Sequence, residues 1–199
     1  MSEQPNTIYR CQWSQGDAAD EHYHDTHWGV PIHDDDLWFE YITLEGAQAG
    51  LSWRTIVNKI KGYQESFKNF NIKKVAAMTD EELEQLLTNP GIIRNRLKVF
   101  STRHNAQQII KVQSEFGSFN QYIWGFVDHT PIQNQRENLN SIPATTEISD
   151  AMSKDLKKRG FKFIGSTICY ALMQASGMVN DHEIECFRYQ HCANSKSSQ

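Results

Sequence analysis

Glu45 stands out as a residue placed for chemistry. In Leu44-Glu45-Gly46-Ala47-Gln48-Ala49-Gly50-Leu51-Ser52-Trp53 a single acid sits among apolar and small residues. Burying such an acid is costly unless it is hydrogen-bonded or faces a cation. Gly46 and Gly50 are unfavourable inside a helix, which predicts that something approaches the backbone closely there. Trp13, Tyr23, Trp28 and Trp53 supply aromatic faces nearby in sequence. Stacking rings around one carboxylate suit a flat, cationic ligand such as an alkylated purine. The plainer alternative is an aromatic core with one satisfied buried acid.

A second constellation joins the two ends of the chain. Cys11 and His24 lie near the start; His182 and Cys186 lie in the run His182-Glu183-Ile184-Glu185-Cys186. A His and a Cys four apart share one face of a helical turn, which suits two ligands of one metal. A Cys2His2 set filled entirely by protein would be structural, leaving no open position for hydrolysis. His22, His27, His191 and Cys192 are competing ligands, and surface histidines with buried thiols are the alternative to any metal.

The third candidate is Leu86-Leu87-Thr88-Asn89-Pro90-Gly91-Ile92-Ile93-Arg94-Asn95-Arg96, a tight turn between two helices. Such a hairpin can offer backbone N–H groups to a phosphate, with Gly91 and Ile93 at the turn. Arg94, Arg96 and Lys98 add positive charge beside it. Ile93 stands where the commoner G-x-G hairpin has its second glycine, and an ordinary helix connection would look much the same.

Helices must position these groups. Apolar residues recur at helical spacing over 35–51, and Trp53, Ile56, Val57 and Ile60 continue into a second helix. Thr79-Asp80-Glu81-Glu82 fits a capping box opening a helix that Asn89-Pro90-Gly91 stops. Further helices are expected over 92–116, 118–127, 149–159 and 165–176, with a long loop over 128–146 and short polar tails at 1–7 and 193–199. The fold class is all-α. The chain has 199 residues, 39% hydrophobic and 22% charged, enough to build a real core. No run approaches the roughly 18 apolar residues of a membrane span, and the polar start lacks a signal-peptide core. The chain therefore reads as cytoplasmic, where four cysteines are better metal ligands or buried thiols than disulfides. A net charge of −4 does not favour nucleic acid, but base is concentrated at 94–103 and 154–162, and acid at 34–36 and 80–82.

The order of motifs also resembles a known family. Arg10-Cys11-Gln12-Trp13, Tyr23-His24-Asp25-Thr26-His27-Trp28-Gly29-Val30-Pro31 and Leu44 to Trp53 are similar to the constitutive DNA-3-methyladenine glycosylase I family. Gly91 to Arg96, Lys157 to Phe163, Gly165 to Tyr170 and Met178 to His182 extend the similarity over roughly residues 9–187. The resemblance implies one helix-hairpin-helix glycosylase domain over 1–199, with the hairpin around 80–103 and a zinc-binding segment from 9–24 plus 182–186. It implies one structural Zn2+ on Cys11, His24, His182 and Cys186, and Cys169 as a core thiol. It implies Glu45 and Tyr23 as the catalytic pair, with Trp53, Trp28 and Trp13 gripping the base. Gly91, Ile93, Arg94, Arg96 and Lys98 become the DNA contacts, the partners alkylated double-stranded DNA and free 3-methyladenine, and the state a monomer. Two positions depart from the family: Gln12 replaces a frequent glycine, and Asp20 occupies a place that is aromatic or apolar and lines the pocket. Asp20 motivates a second hypothesis, a weak or inactive homologue that binds methylated base or DNA without efficient turnover. A zinc hydrolase acting on another substrate would need an open metal position.

Overall fold

The computed structural model describes residues 8–194, so the tail segments 1–7 and 195–199 lie outside it; Ala193, expected in the tail, instead ends a helix. Eleven α-helices are described: α1 (Ala18–Thr26), α2 (Asp35–Gln48), α3 (Trp53–Val57), α4 (Ile60–Ser66), α5 (Ile72–Ala76), α6 (Asp80–Leu86), α7 (Arg96–Phe116), α8 (Phe119–Trp124), α9 (Glu147–Lys158), α10 (Ser166–Ala175) and α11 (Phe187–Ala193). Two short parallel strands, β1 (Ile132–Gln133) and β2 (Val179–Asn180), pair Ile132 with Val179 and Gln133 with Asn180.

Helix α2 is the centre of the packing, touching α3, α5, α7, α8 and α10. An unbroken run from Trp38 to Ala47, apart from half-buried Glu40, is removed from solvent along it. The acidic run that precedes this stretch is structural. Asp34 caps α2 by accepting from the Leu37 N–H at 2.9 Å. Asp35 accepts from the Phe119 and Asn120 N–H groups, both at 2.8 Å, and so caps α8. Asp36 accepts from the Ile72 N–H at 3.0 Å, at the start of α5. Three consecutive carboxylates thus satisfy orphan donors at three helix N-termini, where negative charge is also favoured by the helix dipole.

The expected capping box on α6 is present, with Thr79 Oγ1 accepting from the Glu82 N–H at 3.2 Å and Glu82 returning the bond at 2.9 Å. Gly117, with φ +87°, ends α7 as anticipated. Three boundaries differ from expectation. The second helix breaks into α3 and α4 at Asn58-Lys59. Helix α7 begins at Arg96 rather than Ile92, because Asn95 is extended and caps it through the Lys98 N–H. The segment His182–Cys186 is a turn rather than a helix, held by the bridge of Glu183 to Arg136 and by the Cys186 N–H donating to Glu183 O.

The connection between α6 and α7 is seated against α4. A Cβ on Gly62 would overlap the Gly91 carbonyl, so the two backbones touch only because both residues are glycine. Gly62→Ala should therefore cost about 1–3 kcal/mol by forcing the hairpin off α4. Urea denaturation of the two proteins checks this, and an unchanged midpoint would show that the hairpin is not anchored there.

Candidate active site

Glu45 lies in α2, 5% exposed, and makes no hydrogen bond among the described residues. Burial alone pushes its carboxyl up to about 8. Gly46, beside it, allows the Phe163 backbone and Cβ to approach at 3.2–3.3 Å from where a methyl would sit, which fulfils the expected close approach. Gly50 serves differently: it lies past the end of α2 with φ +78°.

Two cavities meet at this carboxyl. The smaller, about 270 Å³, is lined by Trp13, Tyr23, Trp28, Glu45 and Trp53, the five residues expected to form the base pocket. Gln48, Leu139, Ile142, Ala171 and Gln174 complete it. The rings form a box: Tyr23 and Trp53 centroids are 4.9 Å apart, and Trp13 and Trp28 are 5.1 Å apart nearly edge to face. Tyr23, on α1, is buried without a hydrogen bond for its hydroxyl, and burial raises that phenol well above its ordinary value. The indole N–H groups of Trp13 and Trp53 are also buried and unpartnered. The walls are apolar rings; the unsatisfied groups are one acid, one phenol and two donors.

Directly behind the box, Cys11, His24 and Cys186 bring one ligand atom each within 4.8 Å of one another. Cys186 Sγ lies 3.4 Å from His24 Nε2. A hydrogen bond from Cys11, aided by His24, holds the Cys186 thiol well below its usual range. His182, the fourth expected ligand, is outside this tight group but adjoins it, its ring centroid 5.1 Å from that of His24. Its Nε2 is buried without a partner, and burial lowers its pKa to about 3, keeping the imidazole neutral. Both histidines are oriented through Nδ1, His24 by Asp25 at 2.8 Å and His182 by Asn180 at 3.0 Å. Gly29, with φ +75°, makes room: a Cβ there would come 2.5 Å from His182 Cε1. Cys192 is buried but outside the group, and Cys169 is a core thiol in α10. Two soft sulfurs, one imidazole with its orienting partner and a second, neutral imidazole with an orphaned nitrogen form a donor set that suits zinc.

The hairpin is less open than expected. The Gly91 N–H is taken by Asn89 Oδ1 at 2.7 Å and the Ile93 N–H by the Tyr63 hydroxyl at 3.3 Å. Lys98 is not a surface cation: its Nζ donates to Ala47 O and Ala49 O, both at 2.7 Å, and so closes the C-terminus of α2. Arg96 pairs with Glu84 and lies over the Phe100 ring. Arg94 is exposed and makes no ion pair or hydrogen bond among the described residues. Gly91, Ile93 and Lys98 are thus taken up internally, and Arg94 is left as the unengaged cation of the five.

A family model described as methyladenine glycosylase matches residues 13–189. The chain belongs to that family. It is 47% identical over 180 residues to DNA-3-methyladenine glycosylase 1 of Escherichia coli (strain K12), covering 90% of this chain and 96% of the relative. It is 45% identical to DNA-3-methyladenine glycosylase of Haemophilus influenzae, over 89% of this chain and 96% of that one. A crystal structure of 3-methyladenine DNA glycosylase I superposes with a TM-score of 0.87 at 47% identity, over 90% of this chain and 98% of the other. A Staphylococcus aureus enzyme, solved to show the structural basis of 3-methyladenine recognition, gives 0.87 at 33% identity, over 90% and 96%.

Within this methyladenine glycosylase, Asp20 departs from expectation. It lines neither cavity. Instead it is buried one helical turn before Tyr23 and accepts from Arg54 Nε and Nη2 at 3.1 and 3.0 Å. Arg54 adjoins Trp53, so this pair ties α1 to α3 and sets Tyr23 against Trp53. Asp20 thus pairs with Arg54 behind the wall and does not take the pocket-lining place expected of it.

Sequence reasoning passed over Asp181. This carboxylate, 1% exposed, accepts from Asn134 at 2.7 Å, Arg136 at 2.8 Å, Tyr170 at 2.6 Å and Gln174 at 2.8 Å. It fixes the segment carrying His182 and holds Gln174 at the pocket wall. Its position beside His182 was the available signal.

Because the native state keeps a proton on Glu45 that the unfolded chain releases, this residue's contribution to stability falls as pH rises from about 4.5 to about 8. Each pH unit inside that window costs at most about 1.4 kcal/mol. Glu45→Gln should remove this slope, and the variant should be the more stable protein at pH 9. Chemical denaturation at pH 5, 7 and 9 reads it; parallel pH profiles would mean that the carboxyl is not desolvated as described.

Proposed function

We propose that the aromatic box and Glu45 carry out the activity that goes with family membership, excision of 3-methyladenine from DNA. The observation that carries this reading is a buried carboxyl without a partner, facing a cavity walled by four aromatic rings. A 3-methylated adenine in DNA carries a positive charge, so its glycosidic bond is already weakened and little general-acid help is needed. The work left to the protein is to extrude the nucleotide, hold the base and place charge correctly as the bond breaks. Ring faces attract the cationic base by stacking and cation–π contact. When the cation enters, the Glu45 proton is displaced and the carboxylate accepts hydrogen bonds from the adenine edge. A guanine carbonyl would set oxygen against oxygen at the same place. Tyr23, packed on Trp53, orients the base against Glu45. Water then completes hydrolysis, leaving an abasic site and free 3-methyladenine.

Duplex DNA is the partner, with the chain acting as a monomer and Arg94 and Arg96 the hairpin side chains that reach the phosphates. No described helix is long and apolar enough to cross a membrane. Cys11, His24, His182 and Cys186 hold one zinc ion, supported by the two oriented imidazoles, the neutral His182 and the depressed Cys186 thiol. Bound there, zinc supplies a crosslink between the two chain ends and takes no part in hydrolysis.

The direct test incubates methylated duplex DNA with the protein and measures free 3-methyladenine against an enzyme-free control, since the lesion also depurinates spontaneously. Enzyme-dependent release is expected, and Glu45→Gln should lower it about 10²-fold while remaining folded. Release should rise from pH 6 to pH 8 as Glu45 ionises more readily, and the variant should lack that rise. A folded parent that binds methylated DNA without release would support the binding-only alternative. For the metal, elemental analysis should find one zinc per chain. Cys186→Ser should lose it, with a Tm lower by roughly 10 °C. A metal-free parent as stable as the variant would remove the zinc assignment.

A further inference from the structure

The second cavity at Glu45 is larger, about 400 Å³, and the base-excision reading leaves it unused. It shares Tyr23, Glu45 and Trp53 with the base pocket, so these three side chains form a common wall. Beyond that wall Ala19, Leu37, Tyr41, Leu44, Val57 and Ile60 line it, drawn from α1, α2, α3 and α4. Helix α1 contributes Ala19, His22 and Tyr23, while Asp20, paired with Arg54, is not part of the lining. The hydroxyls of Tyr23 and Tyr41, both buried, have no hydrogen-bond partner among the described residues, and neither does Glu45. The lining is therefore largely apolar, its polar members being the Glu40–Gln64 pair, hydrogen-bonded to each other at 2.8 Å, and the unsatisfied groups of Tyr23, Tyr41 and Glu45. Exposed His22 and His27 stand at its rim, so it opens to solvent.

We propose that this cavity is a side chamber of the base site that takes an apolar substituent carried on the exocyclic amine of an adenine held by Glu45. The proposal rests on the smaller cavity being the base pocket. The edge of a purine that meets Glu45 is the edge facing the common wall, so a group attached there points past the carboxyl into the chamber. An amine bearing one substituent keeps one N–H to donate to Glu45. Of the three wall residues, Trp53 is only partly buried and its indole N–H is unpartnered, so it is the side chain free to turn aside. The ligand class is a 3-methyladenine with a hydrocarbon group, such as benzyl, on its exocyclic amine; burying that group against Leu37, Val57 and Ile60 supplies the extra affinity.

The test titrates the parent protein with free 3-methyladenine and with 3-methyl-N6-benzyladenine, reading quenching of tryptophan fluorescence. Two variants fill the chamber from two different helices, Ala19→Phe and Val57→Phe. The benzyl compound is expected to bind the parent at least about tenfold more tightly than 3-methyladenine. In both variants that advantage should shrink to below about threefold, with 3-methyladenine affinity unchanged, which also shows that the variants are folded. A benzyl compound that binds no better than 3-methyladenine, or that keeps its advantage in both filled variants, overturns the side chamber and leaves the base pocket standing. Failure of both compounds to bind the parent overturns the base pocket, and the chamber with it.

Discussion

The pocket depends on the meeting of the two ends of the chain. Trp13 and Trp28 form one side of the box, and neither is held by a hydrogen bond of its indole. They are held by packing on the Cys/His cluster: Trp13 lies 5.6 Å from His24 and Trp28 4.6 Å from His182, ring centroid to ring centroid. His24 comes from α1 and His182 from the turn after β2, more than 150 residues later in the chain. The parallel pairing of β1 with β2 and the four donors on Asp181 fix that turn. A mobile turn would let the indoles collapse into the cavity, since apolar rings gain by filling it themselves.

The other side of the box has an opposite logic. Helix α2 is buried along nearly its whole length, and a polar residue there ordinarily needs a partner. Glu45 has none, and the protein tolerates it by keeping the carboxyl protonated over much of the neutral range. The cost is offset elsewhere along the same helix, by the three N-terminal caps from Asp34, Asp35 and Asp36 and by Lys98 on the last carbonyls. An unsatisfied carboxyl held in place by a firmly anchored helix is preorganised for a ligand that completes it. The same reasoning explains why the Asp20–Arg54 pair lies behind the wall: it aligns α1 with α3 without placing a second charge beside Glu45.

Much of this could be read from residues alone. The lone acid among small and apolar neighbours marked Glu45, and the capping box marked the start of α6, because both are local signals. The five pocket residues came together because the family resemblance supplied their convergence, which spacing could not. What escaped depended on long-range partners. Charge beside a hairpin is usually exposed, which on sequence makes Lys98 a DNA contact; only the fold brings it to the end of α2. On sequence the N–H groups of Gly91 and Ile93 are open to a phosphate, yet Asn89 and Tyr63 claim them. Helical spacing suggested a turn of helix for His182–Cys186, whereas pairing of Glu183 with Arg136 imposes an irregular turn that points His182 at His24 by another route. Asp20 looked like a pocket residue because nothing local announces Arg54.

The most direct test of the account is a crystal structure of the protein soaked with free 3-methyladenine. The base should lie in the smaller cavity, stacked among Trp13, Tyr23, Trp28 and Trp53, with its donor edge within hydrogen-bond distance of the Glu45 carboxyl. A base bound elsewhere, or bound in the box with Glu45 left unpartnered, would contradict the claim that this buried acid is what the pocket is built around.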